Sequence, residues 1–197
     1  MFGRSGAGKT VLLKLLVGLH QPTSGKVWYS DTDFFSLDKK AKRAIRMQVG
    51  MLFQASALFD SMTVEQNVRF PLDMFTNMTA KEKANRVDSC LERVSLSGAN
   101  KKYPSETSGG MQKRVGIARA IVLEPKYLFC DEPNSGLDPK TSIVIDELIR
   151  DITVENNITT RNGRSAYVGR RFSSTLVRTF FYNYCTIIVK KMSGKCP

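Results

Sequence analysis

The sequence predicts an α/β fold in which a mainly parallel sheet receives a helical insertion. Three observations support this prediction: short apolar runs alternate with helical patterns, a glycine-rich loop leads into an apolar helix, and residues 63–110 contain no strand-like run. The chain of 197 residues is long enough for one domain with a subdomain, and a hydrophobic fraction of 42% suffices for a buried core.

The expected elements follow from the spacing of apolar residues along the chain. Continuous apolar runs predict strands at 49–53, buried on both faces, and at 127–131. A turn followed by Lys-Val-Trp-Tyr-Ser predicts a shorter strand at 26–30. Helical periodicity predicts helices over 10–19, 37–47, 63–70, 80–94, 110–123 and 140–154.

Three of these helices carry apolar residues spaced for one face. In the helix over 80–94 the stripe consists of Ala84, Val87, Leu91 and Val94. In the helix over 140–154 it consists of Ile143, Ile145, Leu148 and Ile152. The basic helix over 37–47 has a smaller face of Ala41, Ala44 and Ile45. Each stripe predicts the side that a helix turns toward the core.

The net charge of +12 suggests a nucleic-acid or membrane partner, but its distribution weakens that interpretation. The last acidic residue is Glu155, and residues 156–197 hold eight Lys and Arg. Because the remaining 22 basic residues stand against all 18 acids, residues 1–155 carry a net charge of only +4. Most of the basicity therefore belongs to the tail, where residues 179–189 are aromatic and β-branched and suit a strand.

Composition argues against membrane-spanning and secreted classes of protein. No run of about 18 apolar residues occurs, so no transmembrane helix is expected, and the first residues do not resemble a signal peptide. The four cysteines lack a C-x-x-C pair, which favours free thiols in a reducing cytoplasm. The single histidine, His20, follows the first helix and is interpreted as a surface residue.

A phosphate-binding pattern, G-x-x-x-x-G-K-[ST], begins at the third residue. Its members are Gly3, Arg4, Ser5, Gly6, Ala7, Gly8, Lys9 and Thr10. Glycines let the backbone curl so that successive N–H groups point at one anion, and the following helix adds the positive end of its dipole. We expect Lys9 to reach the β- and γ-phosphates and the Thr10 hydroxyl to bind Mg²⁺.

Polar side chains also follow the two predicted apolar strands. Gln54 comes directly after the run 49–53, where its carboxamide can bind Mg²⁺ or orient a water without adding charge. Asp131 ends the run 127–131 and suits Mg²⁺, while Glu132 can polarise an attacking water. Taken alone, each could be an ordinary loop or capping residue.

Two further stretches are informative only in combination with the motifs above. Ser108, Gly109 and Gly110 precede a helix and form a second anion site or a simple helix cap. Residues 134–139 form a turn that contains Asp138.

Together these residues resemble the ATP-binding cassette (ABC) ATPases, which have the RecA-like fold of P-loop NTPases. The phosphate loop, Gln54 of the Q-loop, Ser108–Gly110 of the signature, the Asp131-Glu132 pair of Walker B and the D-loop at 135–138 stand in the family's order across about residues 3–160. The signature departs mildly, since Thr107 and Met111 stand where Leu and Gln are usual.

The resemblance implies a function as well as a fold. Two copies would pair head to tail and bind ATP and Mg²⁺ between the phosphate loop of one chain and Ser108–Gly110 of the other. Glu132 would activate water with Gln54 beside it, Mg²⁺ would be held by Thr10, Gln54 and Asp131, and Asp138 would contact across the homodimer.

The resemblance also implies a division of the chain and a membrane partner. Residues 1–62 and 111–160 would form the ATP-binding core, 63–110 a helical subdomain, and 161–197 a basic atypical tail. The helical subdomain and the Gln54 loop would receive an integral-membrane permease. This would place the chain in the cytoplasm, peripheral to the inner membrane, and no nucleic-acid partner is expected.

Residues 52–64, with Asn67 and Val68, further resemble the ATPases of Mla- and Mce-type lipid transporters, similar to the family once called toluene-tolerance transporters. Such proteins move phospholipid between membranes. The segment 108–119 fits the same group. The cargo predicted from this resemblance is therefore phospholipid.

Three family features have no counterpart: the strand before the phosphate loop, an aromatic residue that stacks on adenine, and a switch histidine beyond residue 160. We therefore expect a cassette truncated at its beginning, with a reading-frame shift near residue 160. Sequencing the locus tests this expectation, because an upstream frame and a downstream histidine in another frame should be present.

Two alternatives remain at the level of sequence. The chain could be an ABC-type ATPase that acts on nucleic acid, in which case salt-dependent DNA binding would survive deletion of 161–197. It could also be a cassette without ATPase activity, because an unpaired central strand would expose core and ladder groups.

Overall fold

The computed structural model describes residues 8–29, 31–155 and 185–187. The expectations for Gly3–Ala7, for a strand beginning at 158–160 and for most of the tail lie outside the described residues. They stay predictions. For 185–187 the backbone alone is described, and it lies within the strand expected at 179–189.

The described elements follow the predicted order with shifted ends. The helices are α1 Lys9–Leu16, α2 Lys39–Arg46, α3 Val64–Phe75, α4 Ala80–Arg93, α5 Gly109–Ile121 and α6 Pro139–Glu155. The strands are β1 Trp28–Tyr29, β2 Thr32–Asp33, β3 Val49–Leu52, β4 Tyr127–Asp131 and β5 Cys185–Ile187. The strand expected at 127–131 is confirmed at both ends. Helix α3 continues past the predicted residue 70, with Pro71 inside it.

The central sheet has the order β3-β4-β5. Strands β3 and β4 are parallel, with Val49 opposite Tyr127 and Leu52 opposite Cys130, as the predicted sheet requires. Strand β5 runs antiparallel beside β4. Strand β4 therefore pairs with β3 on one side and, over Phe129–Asp131, with β5 on the other. The alternative of a cassette without ATPase activity stays a prediction. Strands β1 and β2 form a separate antiparallel hairpin, where the sequence predicted one strand.

The β3–β4 pair separates two hydrophobic cores. The side chains of Leu52, Leu128 and Cys130 belong to a large buried core that also contains residues of α3, α4, α5 and α6. Phe129, on the opposite face, packs with Leu13 and Val17 of α1 in a small core. Alternate strand residues face opposite helices, which is the layering of an α/β domain.

Three details of the predicted core are wrong. Ile143 is 59% exposed, and the buried face of α6 contains Ile149 beside the predicted Ile145 and Ile152. The strand at 49–53 is not buried on both faces, because the eight-residue α1 covers Val49 and Met51 only partly. Helix α2 contains no buried residue, and Ala44 of its predicted face is exposed.

Several predictions for the surface and the thiols are confirmed within the described residues. His20 is exposed in the turn after α1. Cys90 and Cys130 are buried cysteines outside any disulfide, and burial raises the pKa of Cys90. No helix in the described ranges combines the length and the apolarity that a bilayer span requires.

Candidate functional site

The candidate site lies where β3 and β4 end. Gln54 follows the end of β3 at Leu52, and Asp131 is the last residue of β4, with Glu132 next. Because the two strands are parallel neighbours, their carboxyl ends meet at the same edge of the sheet. This edge is the place that the sequence predicted for the ligand.

A direct hydrogen bond joins Gln54 to Glu132. The Gln54 Nε2 donates to Glu132 Oε2 at 2.8 Å, although the two residues are 78 positions apart in the chain. The same Nε2 lies 3.5 Å from the Ser135 Oγ. Glu132 has a φ of 45°, in the left-handed region that non-glycine residues rarely adopt. Such backbone strain is held in place by surrounding structure and is concentrated at functional sites.

The two consecutive acids differ in burial, and this suits two different tasks. Asp131 is 3% exposed at the end of β4, whereas Glu132 is partly exposed. A carboxylate fixed in the sheet is suited to hold a metal ion, and one that reaches solvent is suited to accept a proton from water.

The donor set fits Mg²⁺. Thr10, Gln54 and Asp131 offer a hydroxyl, a carboxamide and a carboxylate, which are the hard oxygen ligands that this ion prefers. The described residues contain no group of three or more His, Cys, Asp or Glu side chains placed to hold a metal.

Gly8, the last glycine of the phosphate loop, is the first residue of that loop that the structure describes. Gly8 has a φ of 78° at the start of α1, and a Cβ there would meet nothing within 4 Å. Glycine is therefore needed for the left-handed backbone rather than for space. The first turn of α1 contains no acidic residue, so nothing there opposes an anion at the positive end of the helix. Thr10 is half-buried in that turn.

Ser108–Gly110 and Asp138 lie beside each other, each at the start of a helix. The Ser108 Oγ accepts a hydrogen bond from the Met111 N–H at 3.3 Å. The Asp138 carboxylate accepts from the Thr141 N–H at 3.0 Å and from its hydroxyl at 2.5 Å, and these bonds hold the pKa of Asp138 below its usual value. A Cβ on Gly110 would lie 2.8 Å from the Thr141 Cγ2, so the two segments are closely packed.

Two basic residues of α5 that the sequence did not single out also contact the site. Lys113 is 5% exposed, and its Nζ donates to the main-chain oxygen of Gln54. Arg119 donates to the main-chain oxygens of Ser56 and Ala57 at 2.5 and 2.8 Å. Gly116 lies between them on the helix. One sequence pattern could have revealed both residues. Lys113 and Arg119 each stand three residues from Gly116 in a helix whose other residues are mostly apolar and buried.

Comparison with known proteins identifies the architecture. Residues 1–135 match the family model for ABC transporters. The chain is 43% identical over 159 residues to the methionine import ATP-binding protein MetN 1 of Pseudomonas fluorescens, covering 81% of this chain and 48% of that protein. It is also 43% identical to the probable ribonucleotide transport ATP-binding protein mkl of Mycobacterium leprae, covering 81% and 46%. The chain thus spans about half the length of these curated relatives.

A solved structure supports the same conclusion. The ATP-binding cassette MJ0796, in a dimeric post-hydrolysis state bound to ADP and Pi, superimposes with a TM-score of 0.71 and 32% sequence identity. The match covers 79% of this chain and 68% of that one. The predicted α/β cassette fold is therefore confirmed.

Proposed function

The chain belongs to the ABC transporter family, and from this premise we propose that it is the ATP-binding and ATP-hydrolysing subunit of a transporter. The observation that carries the proposal is the hydrogen bond between Gln54 and Glu132 at the carboxyl edge of the β3–β4 pair. It unites two of the ordered motifs, which are 78 residues apart in the chain.

The proposed hydrolysis divides its tasks among the chain's own residues. Lys9 and the N–H groups of the loop would bind the phosphates, since charge-assisted hydrogen bonds are the stronger ones. Thr10, Gln54 and Asp131 would hold Mg²⁺, which neutralises charge on the phosphate oxygens when bound. Glu132 would orient a water and accept its proton as the oxygen attacks the γ-phosphorus and the bond to ADP breaks.

The second half of the site would come from a second copy of the chain. Ser108, Gly109 and Asp138 are exposed, which leaves them accessible to a partner. The helix start at Ser108 presents N–H groups to an anion, and helix termini of this kind bind phosphates. We therefore propose a homodimer in which each ATP lies between the phosphate loop of one copy and Ser108–Gly110 of the other.

A permease is the proposed membrane partner, received by the helical subdomain 63–110 and the Gln54 loop. Phe59 is 42% exposed and its ring lies 5.0 Å from that of Phe70, so this surface offers an apolar contact. Asn67 is fully buried and fixes the loop there, donating to the Phe59 oxygen at 3.1 Å and accepting from the Phe59 N–H at 2.8 Å. Such a partner would hold the subunit at the cytoplasmic face of the inner membrane.

Two observations bear on the identity of the transported substrate. The segment 52–64 resembles phospholipid transporters of the Mla and Mce type, whereas the relatives described above are named for methionine import and ribonucleotide transport. Phospholipid stays a prediction from the segment, and methionine is the second candidate because of the 43% identity. With the membrane subunit that copurifies with this chain, stimulation of ATPase activity by phospholipid vesicles or by methionine separates the two.

The hydrolysis proposal is tested by paired substitutions in the full chain. We expect Glu132→Gln to keep ATP binding while lowering kcat about 100-fold or more, because only the proton acceptor is lost. Lys9→Ala should abolish ATP binding through the lost charge. Glu92→Gln, an exposed acid on α4, is the matched control and should behave as the wild type.

Two outcomes would contradict the assignment. Normal hydrolysis by Glu132→Gln would remove that residue from the proposed role. Absence of both ATP binding and hydrolysis in the wild-type chain would favour a cassette without enzymatic activity.

A further inference from the structure

We propose that Lys113 is a positioning residue that fixes the Gln54 loop against α5 and so keeps Gln54 beside Glu132. The proposal rests on the proposed ATPase function, since it assigns a role in the geometry of that same site. Lys113 is not expected to touch ATP, because its Nζ contacts the main chain of Gln54.

Helix α5 makes several hydrogen bonds to one short loop. Lys113 donates to the Gln54 oxygen, and Arg119 donates to the oxygens of Ser56 and Ala57. Between them, a Cβ added to Gly116 would lie 2.8 Å from the Leu52 Cδ1 and 3.3 Å from the Ser56 Cβ. Glycine thus permits the close approach of helix and loop that lets both long side chains reach the main chain.

The backbone of this loop is strained and needs support from neighbouring structure. Ser56 and Ala57 have φ values of 60° and 45°, two consecutive non-glycine residues in the left-handed region. Such conformations are strained and persist only where neighbouring structure holds them. The hydrogen bonds from Lys113 and Arg119 go to main-chain carbonyls of this loop, so they act directly on its backbone conformation.

The buried charge of Lys113 also favours its contact with the loop. Lys113 carries a cationic side chain that is only 5% exposed. A buried ammonium is tolerated where carboxylates and hydrogen bonds compensate it. The hydrogen bond from Lys113 to the Gln54 oxygen supplies part of that compensation, so the buried charge is tied to the loop. Because α5 begins at the Ser108–Gly110 turn, one rigid helix connects the predicted dimer contact to the hydrolytic pair.

The experiment compares Lys113→Met with Arg114→Met in the full chain. Arg114 is the neighbouring cation, and its Nη1 contacts the Ser95 oxygen at 3.3 Å rather than the Gln54 loop. Amide hydrogen exchange of a peptide covering 53–58 should become about tenfold faster in Lys113→Met, and exchange in α3 and α4 should be unchanged. Arg114→Met should leave exchange at 53–58 as in the wild type.

Steady-state kinetics provides the readout that a merely structural role would not produce. We expect Lys113→Met to lower kcat about 10- to 100-fold with a change in KM for ATP below about threefold, because misplacing a positioned group mainly affects the chemical step. Lys113→Arg, which keeps the cation and its donors, should restore most of kcat and the slow exchange. Lys113→Gln serves as a second neutral variant if Lys113→Met does not fold.

The outcomes separate this proposal from the proposed function. Unchanged exchange at 53–58 in a folded neutral variant overturns the positioning role, whatever the ATPase result. Failure of both neutral variants to fold also overturns it, since Lys113 would then serve the fold as a whole. If the wild-type chain does not hydrolyse ATP, the proposed function fails, and the exchange experiment still decides whether Lys113 holds the loop.

Discussion

Among the described residues, Leu52, Leu128 and Cys130 on one face of the β3–β4 pair join a buried core that α3, α4, α5 and α6 share. On the other face Phe129 packs with Leu13 of α1 and Val17 directly after it, together with partly buried residues such as Met51 and Tyr127. The same two strands thus serve two cores of very different size. Hydrophobic stabilisation grows with the apolar area removed from water, so the α5 face contributes far more of the folding free energy.

One half of the candidate site is supported by the large core and the other half by the small core. The Gln54 loop is bound by Lys113 and Arg119 of α5, which is embedded in the large core. The phosphate loop leads into α1, which rests on the small core and on the bond from the Tyr29 hydroxyl to the Leu16 oxygen at 2.7 Å. Because proteins open locally where few apolar contacts are buried, we expect α1 to open at a lower free energy than α5.

A large loss of stability is expected from Gly50→Ala, on the α5 face. A Cβ at this position would lie 2.3 Å from the Ala120 oxygen and 3.0 Å from the Pro125 Cγ, so β3 would have to move away from α5. Since a main-chain oxygen cannot swing aside, we expect a loss of about 3 kcal/mol in the free energy of unfolding, measured by urea denaturation.

Its counterpart on the α1 side is Gly18→Ala. There the Cβ would lie 2.3 Å from the Phe34 Cε1, the far end of a side chain that can shift, and the φ of 74° adds strain. The expected loss is about 1–2 kcal/mol. A larger loss for Gly18→Ala than for Gly50→Ala would contradict the proposed difference between the faces.

Leucine truncations compare the two cores directly. Leu91 and Leu13 are 1% and 0% exposed, yet Leu91 lies within the large core and Leu13 has partly exposed neighbours such as Met51 and Tyr127. We expect Leu91→Ala to cost about 3–4 kcal/mol and Leu13→Ala about 2 kcal/mol, because a cavity near the surface can relax.

Hydrogen exchange shows how far each truncation spreads. Leu13→Ala should accelerate exchange in α1 alone, whereas Leu91→Ala should accelerate it across α3, α4 and α5. If both variants loosened the whole molecule equally, the two cores would have to be regarded as one cooperative unit.

A smaller effect is expected at the start of α4, which has a capping box that α1 lacks. The Thr79 Oγ1 accepts from the Glu82 N–H at 3.3 Å, and the Thr79 N–H donates to the Glu82 carboxylate at 2.7 Å. Thr79→Ala should cost about 1 kcal/mol in urea denaturation. Thr79→Ser keeps the hydroxyl and should cost much less. Equal losses in the two variants would show that the methyl group, not the cap, matters.

The smallest effect is expected from the exposed ion pairs of Asp73. Its carboxylate lies 2.8 Å from the Lys83 Nζ and 3.1 Å from the Arg69 Nε, and the hydrogen bond from Lys83 is the main reason that its pKa lies below the ordinary value of 3.8. Asp73→Asn should cost only about 0.3 kcal/mol at neutral pH, because its side chain is 44% exposed and screened by solvent.

The pH dependence of that difference follows from the direction of the shift. A carboxyl whose pKa is depressed by folding contributes stability above its unfolded pKa, and this contribution is lost as the pH falls through its folded pKa. The wild type and Asp73→Asn should therefore converge in stability below pH 3.8. A difference that persisted in acid would show that the side chain stabilises the fold by a route other than charge.

Most helices and strands could be predicted because their signals are local. The apolar run at 127–131 became β4, and the apolar stripe with Val87 and Leu91 predicted the helix that became α4. Errors arose where tertiary packing overrode a local rule. Pro71 lies inside α3, whose buried face extends to Leu72, and Ile143 points to solvent although it fits a helical stripe.

By itself, the sequence determined the family, the order of the motifs and the chemistry that each can perform, because these depend on residue type and short spacing. Only the tertiary structure decided that Gln54 meets Glu132, that Lys113 and Arg119 hold the Gln54 loop, and that the described residues cover the two faces of the sheet so unequally. The physical reason is that these features depend on contacts between distant segments, whose partners are set by packing and by the direction of each side chain rather than by any local pattern.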